Sequence, residues 1–348
     1  MERPTRQDKT GTRTFAGLPS ILRKRATFDL TTYMTSWNTE DEEPCYGALF
    51  RSTLGAAPML FPGALVSDSP DELTIATAGP HGLVAGQAVR FNDELRFVTG
   101  VVDDSTIAIN APFEVAPAVG DELGRAVTYT PSNTIASTTL FDYWNPAESV
   151  QRMVAGAAVD RLSVDVNGDF HQFRFQGVGA GVEDNLTFTS GTAGLTEFPE
   201  EPAGPYPVPS LVPGSLGQAW LGATPSKFFT VLRATVRLDN AIDTRTREFG
   251  SIKPKCIVPG ARKVTVDMDL VSNTDAATQA LYEAAALRQP IGVYFQLGQQ
   301  AESLFGAYLP AVVPELPEFD DGETRLRWRL RDSRAQGIGN DEIAIAFG

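Results

Sequence analysis

The chain has 348 residues, 42% of them hydrophobic, and a formal net charge of −14 at pH 7. This length can bury a large core and can hold two domains, while no apolar run approaches the roughly 20 residues that span a bilayer. Residues 1–25 lack the apolar stretch of a secretory signal, so we expect no membrane association. Cys45 and Cys256 lie far apart, and we expect two core thiols in a reducing compartment rather than a disulfide.

The first 25 residues are a basic arm of net charge +5, whereas the remaining 323 carry 22 basic and 41 acidic side chains. Such an arm can dock on the acidic body of a neighbouring copy, and a solvated, unpaired arm is the alternative. The arm residues that we expect between copies are Arg13, Arg23, Lys24 and Arg25.

Residues 26–56 begin the predicted core. Alternating apolar and polar side chains predict a strand over residues 26–35. A short helix is predicted from Pro44 to Leu54, because proline suits the first turn of a helix and Gly55 suits its end.

Residues 57–130 are predicted to form a small inserted β domain. Turn signals such as Asn92-Asp93 separate short strand-like runs at the spacing of a small barrel or sandwich. The predicted strands are Leu73–Ala78, Ala88–Phe91, Arg96–Val102, Thr106–Asn110 and Arg125–Tyr129. Ten acidic and three basic residues give the insert a net charge of −7, which is half that of the chain.

The core resumes near residue 131 and contains a predicted hairpin. Asn167-Gly168 lies between two alternating runs, and this dipeptide is the strongest short-range hairpin signal. A two-residue turn there sets Val164 opposite His171.

Residues 191–225 contain seven prolines and six glycines, which is too long a stretch for an ordinary loop. We expect either a functional loop or a loose surface excursion, followed by a long strand from Lys227 to Leu238. The loop residues that we expect between copies are Pro205, Pro207 and Pro209.

A second strand and a helix are predicted further along the chain. Apolar residues alternate with polar ones from Arg262 to Val271, so Asp267 and Asp269 form an acidic outer face. A helix is predicted over residues 275–288, with an apolar face rich in alanine that can lie close against a sheet. Its candidate caps are Ser272, Asn273 and Thr274.

An arginine stripe follows near the C-terminus. Leu326, Trp328 and Leu330 alternate with arginines, so one strand has an apolar inner face and a basic outer face. The stripe consists of Arg325, Arg327, Arg329 and Arg331. Like charges on one face repel unless neighbours compensate, so we expect carboxylates against them, from Asp267 and Asp269 or from another copy. A solvated outer face is the alternative.

These elements predict a mainly β protein. Its core, residues 26–56 with 131–348, is predicted as an antiparallel β-sandwich or half-open barrel with one packed helix at about 275–288. The small β domain at 57–130 is inserted into it, and the arm of residues 1–25 precedes it.

Several short segments of the core follow one another in a characteristic order. They are Ala26–Tyr33, Asp239-Asn240, Val258-Pro259-Gly260, the strand Arg262–Val271, the helix Asp275–Arg288, Pro290-Ile291, Gln296-Leu297-Gly298, Tyr308-Leu309-Pro310 and the terminal Asp341-Glu342-Ile343. This order resembles the major tail tube proteins of long-tailed, siphovirus-like bacteriophages. The resemblance covers most of residues 26–56 and 131–348.

The resemblance implies a structural virion protein that is not an enzyme. Copies would form hexameric rings whose sheets join into one inner barrel, and the long loop would reach the adjacent ring. Rings would stack into the tail tube in the host bacterial cytoplasm, around a tape-measure protein, with tail-terminator and tail-tip proteins as further partners. DNA would later pass through the lumen without specific binding, which an acidic body suits, although acidity also simply favours solubility.

The sequence contains no pattern that predicts a catalytic, cofactor-binding or metal-binding site. His81 and His171 have no nearby cysteine or second histidine, and no phosphate loop, nucleophile elbow or dinucleotide fingerprint is present. Two alternatives stay open. One is another virion β protein, such as a tail-tip ring, and the other is a β-sandwich that binds or degrades a polysaccharide.

Overall fold

Antiparallel strands dominate the computed structural model, whose described residues contain two α-helices. The described residues are 11–14, 17, 23–37, 43–143, 150–201, 210–222, 227, 231–272, 275–320, 322 and 326–348. The strands are β1 (Ala26–Tyr33), β2 (Met59–Phe61), β3 (Ala64–Asp71), β4 (Thr74–Thr77), β5 (Ala88–Phe91), β6 (Glu94–Asp103), β7 (Thr106–Ile109), β8 (Glu122–Leu123), β9 (Ala126–Tyr129), β10 (Thr138–Asp142), β11 (Arg152–Val166), β12 (Gln172–Gly179), β13 (Gly181–Asp184), β14 (Gly217–Leu221), β15 (Val231–Asp239), β16 (Asp243–Thr244), β17 (Ile257–Val258), β18 (Lys263–Val271), β19 (Ile291–Leu297), β20 (Phe305–Val313), β21 (Glu318–Asp320), β22 (Arg327–Ala335) and β23 (Ala344–Phe347). The helices are α1 (Gly47–Leu54) and α2 (Ala276–Leu287).

The larger sheet curls into a nearly closed barrel, here called the core barrel. Its main path runs β1-β12-β11-β15-β18-β22-β20-β23-β9-β2, with β10 and β13 attached to β11, β19 to β20, β14 to β19, and β21 to β22. Isolated β-bridges pair Thr35 with Leu211 and Phe170 with Pro213. They connect the segments next to β1 and β12 with the segment before β14. The mainly antiparallel β fold predicted from sequence is therefore confirmed.

Aromatic side chains fill the centre of the core barrel. The ring of Phe50, on α1, lies 5.2 Å from each of Phe173 and Phe175 on β12 and 5.1 Å from Phe347 on β23. α1 ends at Gly55, as the sequence predicts, because this residue adopts a positive φ of 97°. The helix thus presses one bulky side chain onto strands that are distant in sequence.

The smaller sheet forms a second barrel, here called the small barrel. Its strands follow the order β5-β6-β7-β4-β3-β8, and a bridge between Arg90 and Gly124 connects the last strand to the first. Its sheet spans Ala64 to Leu123, and these two residues pair with each other. β2 and β9, which the sequence assigns to the insert, instead pair within the core barrel.

The hairpin around Asn167-Gly168 is present, but its register differs from the predicted one. Val164 lies opposite Phe173 rather than His171, and the last pair is Asp165 with Gln172, so five residues, 167–171, connect the two strands. The cause is non-local, because the N–H of His171 donates to the carbonyl of Val212 instead of joining the hairpin ladder.

Other local expectations also need correction. α2 is capped by Asp275, whose carboxylate accepts from the N–H of Thr278 at 2.7 Å, rather than by Ser272. The other two candidate caps, Asn273 and Thr274, lie outside the described residues. The predicted loop 191–225 contains β14, which pairs in register with β19. The expected core position of Cys45 was wrong, because this thiol is exposed in the turn before α1 and Cys256 is half-buried.

Candidate functional site

Six neighbouring strands of the core barrel share one continuous polar face. It lies on β1, β12, β11, β15, β18 and β22, and the opposite face carries core residues such as Val236, Val266 and Leu330. The polar sheet face consists of Asp29, Thr31, Arg161, Ser163, Asp165, Arg174, Gln176, Arg233, Thr235, Arg237, Asp239, Lys263, Thr265, Asp267, Asp269, Arg327, Arg329 and Arg331, with Asp320 of β21 and Asp332 at its margin. Period-two alternation in every strand produces this separation of faces.

Strand register brings opposite charges into rows across this face. In one row, Gln176 is the cross-strand partner of both Asp29 and Arg161. Arg161 lies opposite Asp239, which in turn lies opposite Lys263. Cross-strand neighbours are within reach of each other's side chains, so the register itself selects the ion pairs.

Each of the seven aspartates on this face forms an ion pair with a basic side chain. The pairs are Asp29–Arg174, Asp165–Arg233, Asp239–Arg161, Asp267–Arg237, Asp269–Arg331, Asp320–Arg329 and Asp332–Lys263. Most are solvent-exposed, so each contributes only about 0–1 kcal/mol to stability. Their effect is to fix charges in place rather than to hold the fold.

The best-defined pair joins the edge strand β1 to β12. Arg174 donates to both carboxylate oxygens of Asp29, at 2.9 and 2.6 Å, and Gln176 donates to Oδ2 at 2.9 Å. These hydrogen bonds lower the pKa of Asp29 to about 2. Asp29 is therefore ionised at every pH at which the protein is expected to operate.

The arginine stripe is part of the polar sheet face. Arg329 donates to Asp320 at 2.5 Å, and Arg331 forms an ion pair with Asp269 at 2.6 Å. Asp267 pairs with Arg237 rather than with the stripe, and its Oδ1 accepts the N–H of Asp332. A register shift at this point of the β18–β22 ladder explains the change. Arg327 lies opposite Val271 and Asp320, and Arg325 lies outside the described residues.

The predicted arm and loop contacts are only partly described. Arg13 and Arg25 are exposed and Arg23 is half-buried. The N–H of Lys24 donates to the carbonyl of Ile252 at 2.9 Å, which ties the start of β1 to the segment between β16 and β17. The three loop prolines, Pro205, Pro207 and Pro209, lie outside the described residues.

A buried polar network joins the small barrel to the core barrel. Arg96 on β6 donates to Glu94 at 2.7 Å and to the carbonyl of Pro112 at 2.7 and 2.9 Å. Its guanidinium is fully buried and stacks over Trp220 and Tyr294 of the core barrel, at 5.3 and 5.8 Å from the ring centroids. Sequence reasoning missed this network, although a single cation inside the apolar run of β6 was the signal available.

Gln296 completes that network from the core side. Its Oε1 accepts the N–H of Leu95 at 2.9 Å, and its Nε2 donates to the carbonyl of Asp93 at 3.0 Å. Tyr294 donates its hydroxyl to the carbonyl of Leu95 at 2.6 Å. The strand edge of the small barrel is thus hydrogen-bonded by core side chains, which is what a buried backbone requires.

A cleft of about 520 Å³ lies beside this junction. Both carboxylate oxygens of Glu94 are occupied, by Arg96 and Gln218 on one side and by the N–H of Glu114 on the other. Burial raises the pKa of Glu94, but Arg96 and these hydrogen bonds outweigh it and hold the pKa below its ordinary value. Glu94 is therefore a poor general acid.

His171 lines the same cleft and is almost fully buried. Its Nε2 donates to the carbonyl of Leu216 at 2.9 Å, and burial holds the pKa of the ring below its ordinary value. A neutral ring with this bond is a structural contact between β12 and the segment before β14. His81 is likewise used locally, because its Nδ1 accepts the N–H of Leu83 at 2.8 Å.

Within the described ranges, no three His, Cys, Asp or Glu side chains are grouped so that they could hold a metal ion. In the same part of the chain, no helix is long and apolar enough to cross a membrane. No protein-family model matches this chain, and no curated protein matches it.

Proposed function

We propose that this chain is the structural subunit of a bacteriophage tail tube, in which hexameric rings stack and DNA passes through the lumen. The observation that carries the proposal is the polar sheet face, on which six neighbouring strands, with β21 at the margin, display seven ion pairs. It supports the function that the sequence resemblance implies. The chain would act in the virion tail after assembly in the host bacterial cytoplasm.

We assign the polar sheet face to the lumen. A channel wall for DNA has to be hydrated without holding phosphates, and phosphate binding depends on basic side chains that displace counterions. Here Arg161, Arg174 and Arg237 each face an aspartate, as do other cations of this face. Because these arginines are already ion-paired, the polar sheet face presents little net positive charge to DNA.

Ring formation is supported by the ends of this same sheet. In the described part of the chain, β1 pairs only with β12, and β21 pairs only with β22. Open edges invite pairing with another chain, and a closed ring removes them. The tape-measure, tail-terminator and tail-tip proteins would be the remaining partners of such a tube.

Negative-stain imaging of the concentrated full-length protein tests the proposal. We expect rings with six subunits and hollow tubes made of many stacked rings. Single rings that never stack would favour a tail-tip ring instead. Dispersed monomers at every concentration would contradict the proposal and favour a monomeric β protein.

A further inference from the structure

An exposed aromatic cluster lies at the β21 end of the sheet that bears the polar sheet face. Phe319 is 59% exposed and Tyr282 on α2 is 38% exposed, and their ring centroids are 6.4 Å apart. Trp328 lies 5.6 Å from Tyr282 and 6.1 Å from Phe319. Leu326, 40% exposed, precedes Trp328 on the same strand side. We call these four residues the aromatic edge cluster.

The cluster is a continuation of the apolar side of the sheet. Phe319 is the cross-strand partner of Trp328, so the two side chains share a face, which is the one opposite the arginines. α2 covers Trp328, which is only 8% exposed, but it leaves Phe319 uncovered. The apolar face therefore extends beyond its own helix to the open edge of β21.

The other end of the same sheet shows a matching feature. In the part of the chain that the structure describes, β1 pairs on one side only, so it is an open edge of eight residues. Leu30 lies opposite the buried Phe175, so it points to the apolar side, yet it is 38% exposed. Tyr33 and Phe170 are also exposed there and pack edge to face at 5.8 Å. Both ends of one sheet thus leave apolar side chains in water.

We infer that the β1 edge of one copy docks beside the β21 edge and aromatic edge cluster of the next copy, head to tail. This inference rests on the proposed function and names the surfaces that would join neighbouring subunits of a ring. Six antiparallel strand pairings lead from β1 to β21, so the two strands run in the same direction within one copy. Copies in a ring are related by rotation about the ring axis, so β1 of one copy would lie parallel to β21 of the next. The contact would continue the apolar face from copy to copy.

Charge also favours this order of contact. The basic residues 23–25 lead directly into β1, whereas β21 begins with the exposed Glu318. A symmetric β1-to-β1 contact would bring two basic segments together and leave the aromatic edge cluster exposed. The head-to-tail contact brings opposite charges together and covers both apolar ends.

Cross-linking distinguishes the two arrangements. In a Cys45→Ser, Cys256→Ser background, Thr27→Cys labels the start of β1, where Thr27 is exposed, and Glu318→Cys labels the start of β21. A bismaleimide of about 10 Å span reaches direct and diagonal cross-strand neighbours. We expect a mixture of the two variants to cross-link to dimers, neither variant alone to do so, and the doubly labelled chain to give a ladder ending at the hexamer. Cross-linking of the Thr27→Cys variant alone would overturn the inference.

A substitution series adds an independent test. Phe319→Ser should raise the concentration needed for assembly about tenfold, as loss of a central aromatic contact does. Phe249→Ser is the matched control, because Phe249 is fully exposed but lies between β16 and β17. Thermal melting confirms that both variants fold. Equal assembly of the two variants would overturn the inference.

The outcomes also separate this inference from the proposed function. Rings or tubes that form without a β1-to-β21 cross-link would overturn the head-to-tail contact and leave the tube proposal standing. A cysteine-free background protein that stays monomeric at all concentrations would contradict the proposed function, and the inference would fall with it.

Discussion

Arg96 donates a 2.7 Å hydrogen bond to Glu94 at the junction of the two barrels, and its side chain is completely withdrawn from solvent. The remaining donors of Arg96 bind carbonyls of the same barrel, while its guanidinium faces aromatic rings of the other. A buried ion pair stabilises a protein only when every polar atom around it is satisfied. Here it fixes the orientation of the small barrel on the core barrel.

Replacing Arg96 by methionine should lower the free energy of unfolding by about 3 kcal/mol, because Glu94 loses its close cation and keeps only the Lys227 ammonium at 3.8 Å. The double variant Arg96→Met, Glu94→Gln should regain part of that loss, since the second change removes the unpaired charge. Denaturant unfolding of both variants measures this. A single variant as stable as the native chain would show that the pair does not hold the junction.

Acid should weaken the same junction. The folded-state pKa of Glu94 lies below its ordinary value of 4.5, so its contribution to stability is complete above that value. It is lost as the pH falls below about 4.5 and through the lower folded-state pKa. The unfolding free energy of the native chain should therefore fall more steeply in this range than that of Glu94→Gln. Parallel slopes for the two proteins would contradict the assignment.

Excision of the small barrel tests how independent the two barrels are. Ala64 and Leu123 are paired, so a short Gly/Ser linker can replace residues 64–123 without stretching the chain. We expect the core to keep cooperative melting but to lose about 3 kcal/mol or more, because Trp220 and Tyr294 lose ~1.5–3 kcal/mol of burial each. Non-cooperative melting would show that the core barrel cannot form without its partner.

Features of this fold could be predicted from the sequence where neighbouring residues determine them, and not where residues distant in sequence do. A short strand-like run bounded by turn signals predicted Ala88–Phe91 at its observed bounds, and Gly55 correctly marked the end of α1. The register after Asn167 was not predictable, because the carbonyl of Val212, 41 residues beyond His171, competes for the backbone.

The candidate site shows the same division. Its arginine and aspartate faces were visible as alternation, but the choice of partners was not. Asp267 pairs with Arg237 because of a register shift between β18 and β22, which no local pattern encodes. The buried role of Arg96 likewise depends on Trp220 and Tyr294, which are more than a hundred residues away in sequence.

A charge swap on the polar sheet face separates stability from assembly. Asp29→Arg and Arg174→Asp each place two like charges at a contact that now spans 2.6 Å, next to the open edge of β1. The pair is exposed, so we expect unfolding free energies within about 1 kcal/mol of the native value. Each single variant should assemble poorly, and the double variant should recover.

Sedimentation at low and high salt, together with denaturant unfolding, measures both quantities. Swapping the exposed pair Arg152–Asp142, which lies off the polar sheet face, provides the matched control. Single variants of Asp29 and Arg174 that assemble like this control would show that the pair is ordinary surface.

Cryo-electron microscopy of tubes assembled from the full-length chain tests the central claim most directly. The account predicts sixfold rings in which β1, β12, β11, β15, β18 and β22 line the lumen, with the Asp29–Arg174 and Asp239–Arg161 pairs facing the channel. A tube whose polar sheet face points outward would contradict the assignment of the lumen. A protein that forms no tube under any condition would contradict the account as a whole.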